Sequence, residues 1–571
     1  MNEGVRAAGD MDLGGTNRSL LTEAGKVPAG VGERTTPFRR HLVPSVLLAS
    51  FALPNLAWVL LDRRVWPWDQ AWYGEVTADL YFLLLHSPEH WYGSMISMMP
   101  SKPPLLTWLG QFVVPLGLAV GSVDVALLGL LVVVQTVTLG LTWAACRTAA
   151  PQNIWASTAA LLFAAGAPLF VGLTHQYLVE PFQVLDVAAS LLLALWAPRL
   201  PALRSFAALA LLVVVAFGSK TTSFIYCGLF WMIAAWFIAR DVQRGRWAAR
   251  DPLAWAMLAA ALLLGVFTLQ WYLANMGDML AHVRAATSGP EADLYGHRAA
   301  LLAKLIFWYQ AGVSSIFVKW DGWAALLFAP MMIAAVLAGA LKTVQRRLTP
   351  ADVVAAAAVG HVVVTGLLLA SQPNEETRFL VPLVPDFAFL VAWSLGPRLF
   401  RRGAALATAV LFAQFATVTG ESLGAPVAVS GSAWLLPLKP NRSDRIALQD
   451  LMVATCPASD AGRINVVGTD YPQMNANSMA FFAAKGRLLR GFRCYYTSLG
   501  YTETDVDRAL ARVRDLRADY IIFPQPTSLP TEPDAFNQTL VAAEHAVAMS
   551  SEFTNVGQIG AYDVFKQAER Q

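Results

Sequence analysis

Long apolar runs separated by short polar connections extend through the chain as far as residue 420. Each run is about 20 residues long, which is the helix length needed to cross roughly 30 Å of hydrocarbon. The pattern therefore predicts about eleven transmembrane helices. They cover 42–61, 124–146, 153–172, 181–198, 204–218, 223–239, 253–273, 323–341, 352–371, 379–396 and 403–420.

Positive charges are concentrated on one side of this helix pattern. Cytoplasmic loops of membrane proteins carry an excess of Lys and Arg, and satisfying this rule places residues 1–40 inside as a flexible cytoplasmic tail. The odd number of predicted spans then places the C-terminus outside. The cations of the predicted inner connections are Arg39, Arg40, Arg147, Arg199, Arg204, Arg240, Arg244, Arg246, Arg250, Lys342, Arg346, Arg347, Arg398, Arg401 and Arg402.

Two predicted outer loops are long, at 62–123 and 274–322, within a transmembrane domain that covers 41–420. The first loop is rich in Trp and Tyr, which is typical of segments at the membrane–water interface. Its apolar stretch 104–120 is interrupted by Pro and Gly. We expect this stretch to be interfacial or re-entrant rather than membrane-spanning.

Residues 421–571 have a different character. They hold 14 Lys or Arg and 16 Asp or Glu, so 30 of the chain's 81 charged residues lie in its last 151 positions. Short apolar strands alternate here with helical patterns, which predicts a soluble α/β domain on the outer side. The predicted elements are strands at 464–468, 492–496 and 520–523, helices at 476–485 and 504–517, a later helix, and a hairpin around 557–565.

Composition supports a polytopic helical membrane protein. Hydrophobic residues make up 56% of the chain and charged residues 14%, against about 25% charged residues in soluble proteins. Mean hydropathy is +0.47. These values exclude a soluble enzyme, a disordered chain and a fibrous protein. A net charge of only +3 gives no electrostatic support for nucleic-acid binding.

The first outer loop contains the strongest candidate residues for chemistry. Asp69, Glu75 and Asp79 lie in a stretch that, as a helix, places Asp69 on one face with Trp72 and Tyr73. A carboxylate in partly apolar surroundings gains basicity and can act as a general base. The residues alone leave open a second interpretation, in which this is an amphipathic interfacial helix whose acids face water.

Four other ionisable residues fall on the predicted outer side: Lys102 in the first long loop, and Glu180, Lys220 and Arg378 at or between predicted helix ends. Each has an ordinary explanation, since a lysine can extend toward lipid headgroups and a charged residue can cap a helix or pair locally. Their shared side of the membrane favours a joint role. Together with Asp69, they could hold an anionic phosphate with cations and activate a hydroxyl with a carboxylate.

Metal and cysteine patterns are weak. The stretch from His86 to His90 matches a zinc-binding H-x-x-E-H pattern, but Pro88 disfavours the continuous helix that it needs. No convincing metal ligand set is present. Four cysteines do not make a disulfide scaffold, although Cys456 and Cys494 both fall in the predicted outer domain and could form a disulfide there.

Four patches in a fixed order carry a family resemblance: Trp68-Asp69-Gln70-Ala71-Trp72-Tyr73, Lys102-Pro103-Pro104-Leu105, Leu178-Val179-Glu180-Pro181, and Glu376-Thr377-Arg378-Phe379-Leu380-Val381-Pro382. With them the chain resembles the GT-C membrane glycosyltransferases. It is most similar to the bacterial branch of protein O-mannosyltransferases and lipid A aminoarabinose transferases.

This sequence departs from the family pattern at three positions. Gln70 stands where a Glu is usual, Glu180 where Asp is more frequent, and Lys220 is followed by Thr221 rather than Gly. The resemblance carries over more directly to Asp69, Lys102 and Arg378.

The resemblance implies glycosyl transfer on the outer face of a bacterial inner (plasma) membrane. The donor would be a sugar on polyprenyl phosphate. The acceptor would be a hydroxyl of lipid A in lipopolysaccharide, of another envelope glycan, or of a protein. Asp69 would be the base, Lys102, Arg378 and Lys220 would bind the donor phosphate, and Glu180 and Glu75 would be supporting acids. No cofactor is implied with certainty, because related enzymes differ in their need for a divalent metal.

Two other functions remain open from the sequence. An O-antigen-type ligase would rely on outer Arg and His residues, and the loop at 274–300 contains His282, Arg284, His297 and Arg298. A transporter or lipid flippase would have charges along a path through the membrane and inverted repeats. No internal repeat is evident, and the candidate charges lie on one side.

Overall fold

The structure is a computed structural model. It describes residues 37–247, 250–288, 292, 294–318, 348–425, 437–441, 445–456, 462–472, 474–500, 503–525 and 536–568. Two compact units divide the chain, Met1–Ser45 and Val46–Gln571. The first contributes the start of helix α1 to the described residues, and the candidate functional residues all lie in the second.

Apolar helices form most of the chain as far as residue 422, since a helix satisfies its own backbone hydrogen bonds within lipid. In chain order they are α1 (Pro37–Leu61), α2 (Trp68–His86), α3 (Pro88–Ser97), α4 (Leu105–Gly110), α5 (Val114–Ala119), α6 (Val123–Ala149), α7 (Ile154–Ala165), α8 (Pro168–Thr174), α9 (Glu180–Trp196), α10 (Ala202–Ser219), α11 (Ser223–Gln243), α12 (Pro252–Thr287), α13 (Leu301–Ile316), α14 (Pro350–Ala370), a 3-10 helix (Thr377–Leu383), α15 (Val384–Leu395), a 3-10 turn (Arg398–Phe400) and α16 (Arg401–Ser422).

The chain is a multi-pass membrane protein. In the described part, eight helical segments are long and apolar enough to cross a membrane, and a ninth is added if the bent pair α7–α8 forms one broken span. The predicted total of about eleven is therefore not reached there. The predicted span at 181–198 forms the 17-residue helix α9, and the one at 323–341 lies outside the described residues.

The first long loop folds into the 19-residue helix α2 and three short helices, α3 to α5. The stretch predicted not to span the membrane forms two helices of six residues each, far too short to cross the bilayer. Its apolar side chains Leu109, Phe112 and Leu116 are exposed. Ser87 separates α2 from α3, so the H-x-x-E-H pattern does not lie on one continuous helix.

A five-stranded sheet with order β2-β1-β3-β5-β4 forms the centre of the C-terminal region and confirms the predicted α/β character. Strands β1, β2 and β3 are parallel, and β5 and β4 continue the sheet as an antiparallel hairpin. The elements are α17 (Arg445–Thr455), β1 (Arg463–Val467), α18 (Ala476–Arg490), β2 (Cys494–Ser498), α19 (Val506–Asp515), β3 (Tyr520–Pro524), α20 (Leu540–Met549), β4 (Phe553–Ile559) and β5 (Tyr562–Gln567).

Local chemistry explains the bounds of α18. The side chain of Asn475 accepts a hydrogen bond from the backbone N–H of Ser478 and caps the first turn. Gly491 follows the last turn with φ +73°, a left-handed conformation that favours glycine. Cys456 and Cys494, whose pairing the sequence leaves open, form a disulfide between the end of α17 and the start of β2.

Helix α18 packs directly on α2. Arg487 Nη1 lies 2.7 Å from Asp79 Oδ1, and Lys485 Nζ lies 3.0 Å from Asp124 Oδ1 at the start of α6. A Cβ at Gly74 would come within 2.9 Å of the Phe481 ring, so only glycine permits this approach. The soluble domain thereby rests on the helix that begins with Trp68 and Asp69.

Candidate active site

Five charged side chains form a row in which the sign alternates. Lys102 Nζ lies 2.7 Å from Asp69 Oδ1, and Arg378 Nη2 lies 3.4 Å from Asp69 Oδ2. Arg378 Nε lies 3.6 Å from Glu180 Oε1, which Lys220 Nζ contacts at 2.8 Å. The structure thus brings together the five residues that the sequence places on the outer side. We name this set the charge row.

Four members of the charge row lie at the beginning or end of an element, and Lys102 lies in the connection between α3 and α4. Asp69 is in the first turn of α2 and Glu180 is the first residue of α9. Lys220 follows the last residue of α10 in the short connection to α11. Arg378 lies in the 3-10 helix before α15. Helix ends leave backbone groups unpaired and accommodate charged side chains, so apolar helices converge there on a polar centre.

The residues just before this 3-10 helix are also held in place by contacts with other parts of the chain. Buried Lys304 of α13 donates to the carbonyl oxygen of Pro373 at 2.7 Å and to Glu375 Oε1 at 2.8 Å. Gly296 forms an isolated antiparallel bridge with Asn374. The second long loop therefore fixes the chain just before Arg378.

Glu376 completes the charge balance of the site. Its Oε2 lies 2.6 Å from Arg378 Nη2, so Arg378 contacts three carboxylates: Asp69, Glu180 and Glu376. Glu376 belongs to the fourth family patch, but no role is predicted for it from the sequence. The sequence feature that could have pointed to a role for Glu376 is its position two residues before Arg378. The formal charges of the three cations and the three acids cancel.

The cations hold Asp69 in its ionised form. Burial alone would raise the pKa of this carboxyl, but the Lys102 ammonium and the Arg378 guanidinium outweigh burial and keep the pKa below its usual range. An ionised carboxylate at neutral pH can accept a proton, but its two cationic partners make it a weak base while they remain in contact. The acidity of Asp69 therefore depends on what else contacts those cations.

Aromatic rings surround the cations. Lys102 Nζ lies 5.4 Å from the ring centre of Trp72, and Lys220 Nζ lies 4.5 Å from that of Phe379. Such rings attract a cation through their negative faces and limit its contact with water. They leave a cationic site that is partly dry, where an anion would be bound more strongly than in open solvent.

Glu75 lies apart from the charge row. It is six residues after Asp69 on α2, which is about 120° around the helix, and its electrostatic neighbours are Asp79 and Arg487. Burial and the nearby Asp79 raise the pKa of Glu75 to about 8, against the opposing effect of Arg487. The structure thus places this predicted supporting acid at the contact with α18.

One neighbour of the row was not assigned to it from the sequence. His282 on α12 acts electrostatically on both Asp69 and Lys102, so it lies on the same side of the helices as the row. From the sequence, His282 was noted only as one of the Arg and His residues of the second long loop that a ligase could use. In the described part of the chain, no group of three or more His, Cys, Asp or Glu side chains is arranged to hold a metal ion.

Comparisons with known proteins identify solved structures with a similar fold. No family model matches the sequence, and no curated protein matches it. The chain is similar in structure to ArnT from Cupriavidus metallidurans bound to undecaprenyl phosphate, with a TM-score of 0.55 and 13% sequence identity over 92% of this chain and 98% of that one.

A second similar structure is ArnT from Cupriavidus metallidurans in the apo state, with a TM-score of 0.52 and 14% identity over 92% of this chain and 97% of that one. Nearly the whole length of both proteins is therefore aligned. The chain has the fold of ArnT, and this confirms the GT-C-like fold that the sequence predicts.

Proposed function

We propose that this protein is a membrane glycosyltransferase that moves a sugar from a polyprenyl-phosphate donor to a hydroxyl group of a cell-envelope glycan, lipid or protein. The reaction takes place on the outer face of a bacterial inner membrane, with the N-terminus in the cytoplasm. The observation that carries the proposal is the charge row, in which Asp69 lies between Lys102 and Arg378. The shared fold with ArnT, solved with undecaprenyl phosphate bound, supports it.

The cations of the row suit the leaving group. As the bond between the sugar and the phosphate oxygen breaks, negative charge grows on the polyprenyl phosphate. Lys102, Arg378 and Lys220 are fixed in a partly dry site, so they stabilise that charge without rearranging at the moment of reaction. The polyprenyl tail remains in the bilayer, which is where the apolar helices lie.

Donor binding activates the base in this mechanism. The donor phosphate draws Lys102 and Arg378 away from Asp69, and the proton affinity of Asp69 rises as its cationic partners are shared. Asp69 then takes the proton of the acceptor hydroxyl, the hydroxyl oxygen bonds to the anomeric carbon, and polyprenyl phosphate leaves with the electron pair of the broken bond. Glu180 keeps Lys220 in position through their contact at 2.8 Å.

The sugar is already activated by its phosphate link, and the mechanism assigns proton removal and charge stabilisation to the residues of the row.

The test uses purified protein in lipid nanodiscs, radiolabelled polyprenyl-phosphate sugars and an envelope extract as acceptor. Release of free polyprenyl phosphate is followed for wild type, Asp69→Asn and Asp278→Asn. Asp278 is an exposed carboxylate near the end of α12 and serves as the matched control. We expect turnover by wild type and by Asp278→Asn, and loss of at least two orders of magnitude in Asp69→Asn.

Two outcomes would contradict the proposal. Normal product formation by folded Asp69→Asn would remove Asp69 as the base. If folded wild type shows no turnover on any donor, the ligase or the transport function is favoured. The family resemblance would then extend to the fold but not to the activity.

A further inference from the structure

The residue before the proposed base has an unusual backbone conformation. Trp68, the first residue of α2, has φ +28°, although residues other than glycine strongly avoid positive φ. Pro67 precedes it and contributes no capping hydrogen bond to the helix. Such a conformation persists only where the surrounding structure imposes it, and it determines the direction in which Asp69 leaves the first turn.

The soluble domain supplies the contacts that impose it. The indole Nε1 of Trp68 donates to the carbonyl oxygen of Asp470 and to its Oδ1, both at 3.1 Å. Asp470 lies in the connection between β1 and α18 and is 402 residues away in sequence. Its own backbone N–H donates to the side-chain oxygen of buried Asn537 at 2.7 Å. The acceptor of the indole is therefore fixed within the soluble domain.

Two further contacts hold the chain around Asp69 to the same domain. The carbonyl oxygen of Trp66 accepts from the hydroxyl of Ser478 at 2.7 Å, and the Trp66 ring stacks on Phe481 with the ring centres 4.7 Å apart. Five residues after Asp69, Gly74 lies against that same Phe481 ring. The segment that carries Asp69 is thus held by the soluble domain on both sides of the carboxylate.

We propose that Asp470 is a positioning residue for Asp69, acting through the indole of Trp68. This inference rests on the proposed function, and it gives the C-terminal domain a role in catalysis. Without the indole contact, Trp68 relaxes toward negative φ and the first turn of α2 changes direction. Asp69 then moves away from Lys102 and Arg378, which it now contacts at 2.7 and 3.4 Å.

The experiment compares Trp68→Phe, Asp470→Ala and Asp470→Asn in the full chain, with polyprenyl phosphate release in nanodiscs as the readout. Trp68→Phe keeps an aromatic ring but loses the donor of both hydrogen bonds. We expect kcat to fall about 10- to 100-fold, since a shift of about 1 Å in a reacting group has an effect of that size. The KM for the donor should not rise, because the phosphate-binding cations are unchanged and lose a competing contact with Asp69.

The Asp470 variants form a graded series. Asp470→Ala loses only the side-chain acceptor and should fall between wild type and Trp68→Phe, whereas Asp470→Asn retains an acceptor oxygen and should recover most of the rate. Combining Trp68→Phe with Asp470→Ala should cost no more than Trp68→Phe alone, because both changes act through one contact. Asp69 should also regain a more ordinary pKa when it leaves its cations, so the acidic limb of kcat/KM should move to higher pH.

Glu552→Gln is the control for general damage to the soluble domain. Glu552 pairs with Arg514 at 2.9 Å in the same domain, with both side chains about half exposed, and its variant should keep the wild-type rate and pH profile. Wild-type kcat in folded Trp68→Phe or in Asp470→Ala, while Asp69→Asn is inactive, would overturn the positioning role and leave the proposed function intact. Activity in Asp69→Asn itself would instead be a failure of the proposed function.

Discussion

Asp69→Asn should bind polyprenyl phosphate more tightly than wild type while losing turnover. Asp69 pairs with Lys102 and Arg378, the two cations that the proposed mechanism assigns to the phosphate. Neutralising the carboxylate releases Lys102 from its ion pair, leaves Arg378 with Glu180 and Glu376, and removes the repulsion between Asp69 and the phosphate. Catalysis and binding are thus expected to change in opposite directions in a single variant.

The size of the effect follows from the geometry of the ion pair. At 2.7 Å, the attraction between Lys102 and Asp69 is about 1.5 kcal/mol at the dielectric constant of water and about 6 kcal/mol at an effective value near 20. The two side chains are 21% and 32% exposed, so screening keeps the pair near the lower figure. Since about 1.4 kcal/mol is a factor of ten in Kd, we expect roughly tenfold tighter binding.

The assay titrates a short-chain polyprenyl phosphate into protein in zwitterionic nanodiscs. Tryptophan fluorescence reports on the site, because Trp72 lies beside Lys102. The matching polyprenol without phosphate is the control and should bind both proteins equally. An equal or weaker affinity of folded Asp69→Asn for the phosphate would show that the phosphate does not occupy the position between Lys102 and Arg378.

Three further changes test separate parts of the structure. Arg378→Lys keeps the positive charge but loses the planar fork that contacts three carboxylates, so kcat/KM for the donor should fall at least tenfold; an unchanged value would mean that charge alone suffices. Gly74→Val forces a side chain into the Phe481 ring and should destabilise the protein by about 1–3 kcal/mol, seen as a lower Tm; an unchanged Tm would contradict the close packing of α2 on α18. The raised pKa of Glu75, about 8, means that the folded state holds a proton that the unfolded state has released above its ordinary pKa of 4.5. Stability from this group should therefore fall between about pH 4.5 and pH 8, and Glu75→Gln should reduce the difference in Tm between pH 5 and pH 8; an identical pH dependence would place the titration elsewhere.

The sequence was sufficient to identify the members of the charge row. Apolar runs mark the helix ends, and the positive-inside rule sorts those ends by side, so Asp69, Lys102, Glu180, Lys220 and Arg378 could be assigned to a common surface without any contact information. Their pairing could not be predicted. Arg378 and Asp69 are 309 residues apart, and which cation meets which carboxylate depends on how the helices pack against one another.

The surroundings of the row were harder to predict for the same reason. Glu75 is close to Asp69 in sequence, but the rotation of α2 directs it toward α18, and only the docking of the soluble domain decides what it meets there. The contact between Trp68 and Asp470 joins two domains across 402 positions. No local pattern signals it, because positive φ at a tryptophan is unfavourable and arises from tertiary structure alone.

The balance of charge in the row connects these observations. Three cations partly removed from water would repel one another, so an empty site needs carboxylates to neutralise them. The proposed mechanism gives one of these carboxylates a second role, as the base, since the phosphate replaces Asp69 as the partner of Lys102 and Arg378.

When the phosphate is bound, the ion pairs no longer orient Asp69, although the base must then be most accurately placed. The indole contact of Trp68 with Asp470 does not involve the cations and persists when they turn to the phosphate. A soluble domain held against α2 therefore supplies the restraint that the charge row itself loses on binding its donor.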